Sequence, residues 1–183
     1  MRQATTEPHA PGRQTLPTSV YLDTQFLFAY LVEEDEDHVA AAALGRRLEA
    51  LAEGGHVRVF HSAIVLNELA WKLAGVLHDR DAGQGQTWRR LSDRGKGDAY
   101  RQCCAEVAVW LQRLLEQPWL SVLSADEEVC RELPVITAER GLRPADACHV
   151  ACAARHGVQA IVTNDRHFTA LTDLPLEVLT YQT

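Results

Sequence analysis

Short apolar runs alternate along the chain with longer segments in which apolar residues recur at helical spacing. The runs that we interpret as buried strands are Val20–Leu22, His56–Phe60, Trp119–Leu123, Val158–Thr163 and Leu176–Thr180. Strands that alternate with helices in this way are typical of a parallel sheet with helices on both faces. The pattern therefore predicts an α/β fold, with three layers (α/β/α) around a central parallel sheet of about four to five strands.

Helix start and stop signals divide the segments between these runs. We predict helices from Asp35 or Asp37 to Glu53, from Ser62 to about Leu77, from Ala99 to Gln117, and from Pro144 to about His156. A capping-box pattern at 124–127 predicts a further short helix. The stretch 134–137 is interpreted as a brief apolar piece that precedes the helix beginning at Pro144.

Two stretches depart from this alternation. Residues 1–18 contain three of the seven prolines and few apolar residues, which predicts a flexible N-terminal tail. Residues 79–98 contain four glycines and many charges, which predicts a loop or insertion, and a solvated loop is favoured over an RNA- or partner-binding segment. The remainder, 19–183, is expected to form a single domain.

The composition is that of a globular protein, and it limits the possible functions. The 183 residues carry a formal net charge of -7, which argues against a purely electrostatic nucleic-acid binder. A polyanionic substrate would therefore need a bridging cation. The chain has no apolar run of transmembrane length and no secretory signal, and its five cysteines lack metal-site spacing. We expect free thiols, a cytoplasmic location and no membrane partner.

Two acidic residues lie directly beyond the carboxyl ends of predicted strands, where α/β proteins place ligand sites, and two more are expected near the same edge of the sheet. Asp23 and Asp165 follow predicted strands, Asp146 lies in the first turn of a predicted helix, and Glu68 lies within another. Singly, each has a structural explanation: a cap, a helix-dipole interaction, or an ion pair of Glu68 with Lys72. Converging carboxylates, however, repel one another unless they are protonated or bridged, and an all-oxygen set suits Mg²⁺ or Mn²⁺.

The sequence around these four acids resembles the PIN-domain ribonucleases, in particular the VapC-like toxins of bacterial toxin–antitoxin pairs. The blocks that carry the resemblance are LDTQFLFAYL, SAIVLNELAWKL, LRPADACHVACAARHG and VQAIVTNDRHF. They follow one another in the family's order over roughly residues 19–181. The resemblance implies that 19–183 is a PIN-like domain.

The same resemblance implies an endoribonuclease that hydrolyses RNA phosphodiester bonds with water activated by Mg²⁺ or Mn²⁺. Asp23, Asp146 and Asp165 would hold the metal, and Glu68 would coordinate directly or through water. Members are often homodimers, and toxin members are neutralised by a protein antitoxin. The long tail and the 79–98 segment depart from a compact toxin, which leaves a housekeeping nuclease as an open alternative.

Several neighbouring residues are candidates for supporting roles. By resemblance, Thr24 and Asn164 would support the site through hydrogen bonds. Arg143 and Arg166 each lie beside one of the acids and are candidates for substrate contacts. His149 follows Asp146 by three residues on one helix face, and a core or supporting role is favoured over metal ligation.

Two other functions are alternatives to the nuclease. A phosphatase of the haloacid-dehalogenase type needs a second acid two residues after the first, where this chain has Gln25. A catalytically silent PIN-like scaffold that binds RNA or protein is expected to have lost part of the acidic set. All four acids are present, which favours activity.

Overall fold

The computed structural model describes residues 16–82, 85–169 and 174–181, and its centre is a parallel sheet of five strands. The strands are β1 (Ser19–Leu22), β2 (Arg58–Ser62), β3 (Leu120–Leu123), β4 (Ala160–Val162) and β5 (Glu177–Leu179). Their spatial order is β3-β2-β1-β4-β5, so the chain winds outward on one side of β1 and then on the other. The carboxyl ends of β1 and β4 are therefore adjacent at the point where the winding reverses, which is where α/β folds bind ligands.

Helices make up the outer layers. They are α1 (Thr24–Leu31), α2 (His38–Glu53), α3 (Ala63–Ala82), α4 (Asp93–Leu115), α5 (Glu127–Arg140), α6 (Pro144–Arg155) and α7 (Arg166–Thr169), with a short 3₁₀ helix at Trp88–Arg90. Strands β1 and β4 are buried throughout because they lie between helical layers, which explains their continuous apolar sequence. The predicted α/β/α class and parallel sheet are confirmed.

Three local predictions were wrong. Helix α1 was not anticipated, although four of its eight residues are buried and Asp23 caps it. Residues 134–137 are not a separate piece, because α5 runs through Pro134. Packing of α5 against α6 outweighs the one helical hydrogen bond that a proline removes. The cap of α5 is Asp126, which accepts from the amides of two following residues, so the predicted capping box does not form.

The loop predicted at 79–98 is shorter in the structure, because helices extend into it from both sides. Helix α3 continues to Ala82, and α4 begins at Asp93 with Ser92 as its cap, so the two helices pack together as a hairpin. Of the predicted tail, residues 1–15 lie outside the described residues. Thr18 at its end donates two hydrogen bonds to Oε1 of Gln159, from its amide at 2.8 Å and its hydroxyl at 3.0 Å.

Two further expectations concern membrane-spanning helices and the cysteine thiols. Among the described segments, no helix has both the length and the apolar character needed to cross a membrane. All five cysteines are free thiols, and Cys148 and Cys152 are buried within α6.

Candidate active site

A pocket of about 420 Å³ opens beside the carboxyl ends of β1 and β4, and all four predicted acids line it. Asp23 directly follows β1, Asp165 follows β4, Glu68 lies in the second turn of α3, and Asp146 is the third residue of α6. The pocket is completed by Thr24, Gln25, Asn67, Trp71, Lys72, Arg143, His149 and Phe168. Acids separated by up to 142 positions are thus brought to one place by the parallel sheet.

Asp23 is the most deeply buried of the four carboxylates, with 4% of its surface exposed. Its Oδ1 accepts a hydrogen bond from the amide of Phe26 at 2.8 Å, and its Oδ2 accepts one from Oγ1 of Thr163 at 2.5 Å. Burial nevertheless raises its pKa from 3.8 to about 6, because desolvation of the charged form outweighs these hydrogen bonds. An ionised Asp23 is therefore held at a free-energy cost that a bound cation would offset.

Thr163 joins two of the acids, and the sequence analysis did not identify it. Besides donating to Asp23, its Oγ1 accepts a hydrogen bond from the amide of Asp165 at 2.9 Å. The carboxylate of Asp165 in turn accepts from the amide and Nδ1 of His167, each at 2.8 Å to Oδ1. The available signal in the sequence was a hydroxyl side chain that directly follows a buried strand and precedes an acid by two positions.

Glu68 is fixed by two donors from different elements. Its Oε2 accepts a hydrogen bond from Oγ1 of Thr24 at 2.5 Å and one from Nε2 of His149 at 3.0 Å. Burial opposes ionisation of Glu68, but these hydrogen bonds outweigh it and leave its pKa below the usual value. Glu68 is therefore ionised at neutral pH.

His149 is itself held by a buried hydrogen-bond chain. Its Nδ1 lies 3.0 Å from the hydroxyl of Tyr21, and that hydroxyl lies 2.6 Å from Oγ of Ser62. Since Nε2 donates to the carboxylate of Glu68, Nδ1 of a neutral imidazole accepts from Tyr21, which in turn accepts from Ser62. Burial raises the pKa of Tyr21 well above its usual value, which keeps this hydroxyl protonated as a donor.

Asp146 differs from the other acids because part of it has no partner. Its Oδ2 is buried and makes no hydrogen bond. Burial raises the pKa of Asp146, and the negative charge of Asp165 raises it further. A buried carboxylate oxygen without a donor is uncommon in native proteins and points to a missing cation, water or ligand.

The cationic residues near the pocket have distinct positions. Lys72 and Arg143 line it, and Nζ of Lys72 lies 5.2 Å from the ring centroid of Phe28. Arg166 is exposed on α7. The positive charge of Lys72 lowers the pKa of both Asp23 and Glu68, although Lys72 is not the largest influence on either.

The two residues predicted to support the site lie in different surroundings. Thr24 contacts Glu68 directly. Asn164 donates to Oδ2 of Asp37 and accepts from the amide of Tyr181, each at 3.0 Å. It therefore ties the loop after β4 to the start of α2 and to the segment after β5.

The donor set of the pocket fits a hard divalent cation in its chemistry. In residues 16–82, 85–169 and 174–181 no three Asp, Glu, His or Cys side chains lie close enough, as they stand, to share one ion. The pocket nonetheless holds four carboxylates, and one of them has a buried oxygen without a partner. Carboxylate oxygens accept more than one contact each, and Mg²⁺ commonly takes only one or two of them and keeps several waters.

Comparison with known proteins agrees with this fold. VapBC2 of Rickettsia felis, solved with a DNA fragment from its promoter, shares 15% identity with a TM-score of 0.52, over 90% of this chain and 99% of that one. VapC20 of Mycobacterium tuberculosis, described as a toxin that cleaves the sarcin–ricin loop, shares 20% identity with a TM-score of 0.51, over 86% and 98%. No curated protein sequence matches.

The two structural similarities show a shared fold and no more, because the identities are low. The sequence itself gives the stronger result, since the family model of the PIN domain matches residues 20–174. That range includes all four acids of the pocket, strands β2, β3 and β4, and all of β1 except its first residue. The chain belongs to the PIN domain family.

Proposed function

We propose that this protein is a metal-dependent endoribonuclease that hydrolyses RNA phosphodiester bonds, and that it acts as the toxin of a toxin–antitoxin pair. The observation that carries the proposal is the convergence of four carboxylates on one pocket, where Oδ2 of Asp146 is buried without a partner. Membership of the PIN domain family supports the same reaction class.

Asp23, Asp146 and Asp165 would hold Mg²⁺ or Mn²⁺, with Glu68 coordinating directly or through water. A bound ion of this kind lowers the pKa of water and stabilises the charge that develops on a phosphodiester during hydrolysis. It would also compensate the desolvation that raises the pKa of both Asp23 and Asp146, and the repulsion by Asp165 that raises the pKa of Asp146 further. The net charge of -7 also favours a bound cation, because an acidic protein would otherwise repel a polyanion such as RNA.

The residues around the acids would keep them ionised and oriented. His149 and Thr24 hold Glu68 as a carboxylate, and Thr163 orients Asp23. Lys72 and Arg143 line the pocket and would contact phosphate oxygens of the RNA. Charged groups that are oriented before the reaction stabilise the charge that develops in a transition state.

The assignment as a toxin is supported by the two structural neighbours. One was solved as a VapBC complex on its promoter DNA, and the other is described as an RNA-cleaving toxin. We infer that this protein has a protein antitoxin, forms a homodimer and acts in the cytoplasm. Its five free thiols fit a reducing compartment.

Cleavage of a mixed RNA pool tests the nuclease assignment. The wild type should cleave with Mg²⁺ or Mn²⁺ and stop when EDTA is added, and Asp23→Asn and Asp146→Asn should be inactive while folded. Glu132→Gln is the matched control, because it makes the same acid-to-amide change at an exposed site outside the pocket. Full cleavage by Asp146→Asn would refute the proposed role of the acids.

Expression in bacteria tests the assignment as a toxin. The wild type should arrest growth, and Asp146→Ala should not. If both are harmless while the purified wild type cleaves RNA, the protein is a processing or housekeeping nuclease.

A catalytically silent PIN-like binder is the second candidate, since no three Asp, Glu, His or Cys side chains of the described segments are close enough, as they stand, to share an ion. A protein of this kind would bind RNA or protein, but its wild type would show no cleavage that Asp23→Asn could abolish. A phosphatase of the haloacid-dehalogenase type is disfavoured, because Gln25, which also lines the pocket, replaces its second acid.

A further inference from the structure

An exposed tryptophan lies at the acidic pocket. Trp71 is 44% exposed and is one of the residues that line the pocket with the four acids. It follows Glu68 by three residues in α3, so the two side chains project from the same face of the helix. An exposed indole leaves apolar surface in water, and the position of Trp71 in the lining makes this surface available to a ligand in the pocket.

The ring of Trp71 is held in place by two further aromatic rings. Trp88 meets it edge-on, with ring centroids 5.0 Å apart and planes at 71°. Tyr100 of α4 lies nearly parallel to it, with centroids 5.9 Å apart and planes at 29°. We call these three residues the aromatic platform. A preorganised platform loses little conformational freedom when a planar ligand binds.

The connection between α3 and α4 is shaped to hold this platform. Trp88 lies so close to α3 that a Cβ on Gly75 would be 3.2 Å from its ring. The amide of Trp88 donates to Oδ1 of Asp79 at 2.6 Å. Trp88, within the segment predicted to be a solvated loop, is therefore packed against α3, where it supports Trp71.

The chemistry of the surroundings identifies the planar ligand. The pocket combines an aromatic surface with two cations, Lys72 and Arg143, and with the acids that would hold a metal against phosphate. A nucleotide complements both features, because it carries a flat base, which fits the aromatic surface, close to a phosphodiester, which fits the cations. Bases stack on aromatic side chains with little regard to sequence, and only unpaired bases expose their faces.

We propose that Trp71 is a stacking subsite for an unpaired nucleobase next to the scissile phosphate. This inference rests on the proposed nuclease function and adds to it the part of the substrate that is recognised. Arg89 and Arg90, exposed beside Trp88, would contact the backbone that leads to this base.

The test combines variants of Trp71 with abasic substrates. A single-stranded oligoribonucleotide that spans a mapped cleavage site is prepared as the parent and as a series with one base removed at each position. Trp71→Ala should lower kcat/KM on the parent by roughly 5- to 100-fold, chiefly through KM, because base–aromatic stacking is of that size. Trp71→Phe should restore most of the loss, since it keeps an aromatic face.

The abasic series distinguishes stacking from a structural effect. In the wild type, removal of one particular base near the cleavage site should slow cleavage, and in Trp71→Ala the same removal should cause no further loss. Val135→Ala is the control, because Val135 is 52% exposed and does not line the pocket. Thermal melting establishes that each variant is folded.

The remaining outcomes overturn the inference in distinguishable ways. If the wild type cleaves RNA and Trp71→Ala is equally active with an unchanged abasic pattern, the stacking subsite is refuted and the nuclease assignment stands. A change of oligomeric mass in Trp71→Ala without a change of abasic pattern would make the platform a contact between copies of the chain. If the wild type cleaves no RNA with either metal, the proposed function fails and the subsite fails with it.

Discussion

His149 donates a hydrogen bond from Nε2 to Oε2 of Glu68 at 3.0 Å, joining two helices at the wall of the acidic pocket. The same imidazole is anchored on its other side by the hydroxyl of Tyr21 in β1. Glu68 is therefore oriented by the central sheet through His149 and not by α3 alone. This relationship gives His149 a supporting role and explains why a polar residue is tolerated among the buried residues of α6.

Replacement of His149 should separate orientation from stability. His149→Ala removes the donor to Glu68 and leaves the hydroxyl of Tyr21 without the acceptor for its proton, although Ser62 still contacts that hydroxyl. We expect the free energy of unfolding to fall by about 1–3 kcal/mol. His149→Gln keeps a donor near Nε2 and should recover part of the lost cleavage. The measurements are urea unfolding and the rate of RNA cleavage. Equal cleavage by both variants and the wild type would exclude an orienting role.

Removal of the Tyr21 hydroxyl tests the chain behind His149. Tyr21→Phe keeps the ring but leaves Ser62 and Nδ1 of His149 without their partner, so we expect a loss of about 1–3 kcal/mol in urea unfolding. Tyr100→Phe is the control, because it makes the same change in a partly exposed ring of the platform and should cost far less. Similar losses in both variants would mean that the buried chain contributes nothing specific.

The raised pKa of Asp23 predicts how stability depends on pH in the metal-free protein. The folded state holds this proton up to about pH 6, whereas an aspartate in the unfolded chain has its ordinary pKa of 3.8. The protonated Asp23 carboxyl therefore contributes fully to the free energy of unfolding at low pH, and this contribution is lost as the pH rises through about 6. The loss amounts to about 3 kcal/mol at neutral pH. Burial also raises the pKa of Asp146, so its effect has the same sign.

Comparison with Asp23→Asn isolates this effect. With EDTA present, the wild type should lose stability relative to Asp23→Asn as the pH rises from 5 to 8, as measured by urea unfolding at each pH. The amide can still occupy the cap position of α1, because asparagine is a good N-cap residue. Parallel stability curves for the two proteins would show that Asp23 is ionised at no cost.

Much of the architecture was predictable from the sequence, because buried parallel strands and acids at strand ends leave local signals. Helix α1 was missed because its segment FLFAYL is almost uniformly apolar and lacks the alternation that marks a surface helix. The hydrogen bonds of Thr163 to Asp23 and of Tyr21 to His149 join residues 140 and 128 positions apart, and no local pattern encodes such pairs. The role of Trp88 was hidden because its segment has the glycines and charges of a loop.

A divalent cation should stabilise the folded protein if the pocket binds one. Millimolar Mg²⁺ or Mn²⁺ at pH 7 should raise the melting temperature, since a ligand at about 100 times its Kd adds about 2.7 kcal/mol. Asp146→Asn should show a much smaller shift, because it alters the carboxylate whose Oδ2 has no partner. Glu132→Gln should behave like the wild type. The same shift in Asp146→Asn would place the bound ion elsewhere.

Thr163 should be sensitive to loss of its hydroxyl. Thr163→Val keeps the shape but removes both the donor to Asp23 and the acceptor for the amide of Asp165, so cleavage should fall and stability should drop by about 1–3 kcal/mol. Thr163→Ser retains the hydroxyl and should stay close to the wild type in both assays. An active and stable Thr163→Val would mean that the two acids keep their positions without it.

Gly75 gives a separate test of the aromatic platform, because it changes the support of Trp71 without touching the pocket. In Gly75→Ala the new Cβ would lie 3.2 Å from the ring of Trp88, so the ring must shift and its contact with Trp71 must change. Alanine is the better helix former by roughly 0.5–1 kcal/mol, which offsets part of the crowding.

Gly97→Ala in α4 is the matched control, because its Cβ would meet only Nη1 of Arg101 at 3.9 Å. We expect Gly75→Ala to change the near-ultraviolet circular dichroism of the tryptophans and to weaken cleavage of single-stranded RNA. Gly97→Ala should alter neither, and equal behaviour of the two variants would show that Trp88 does not position Trp71.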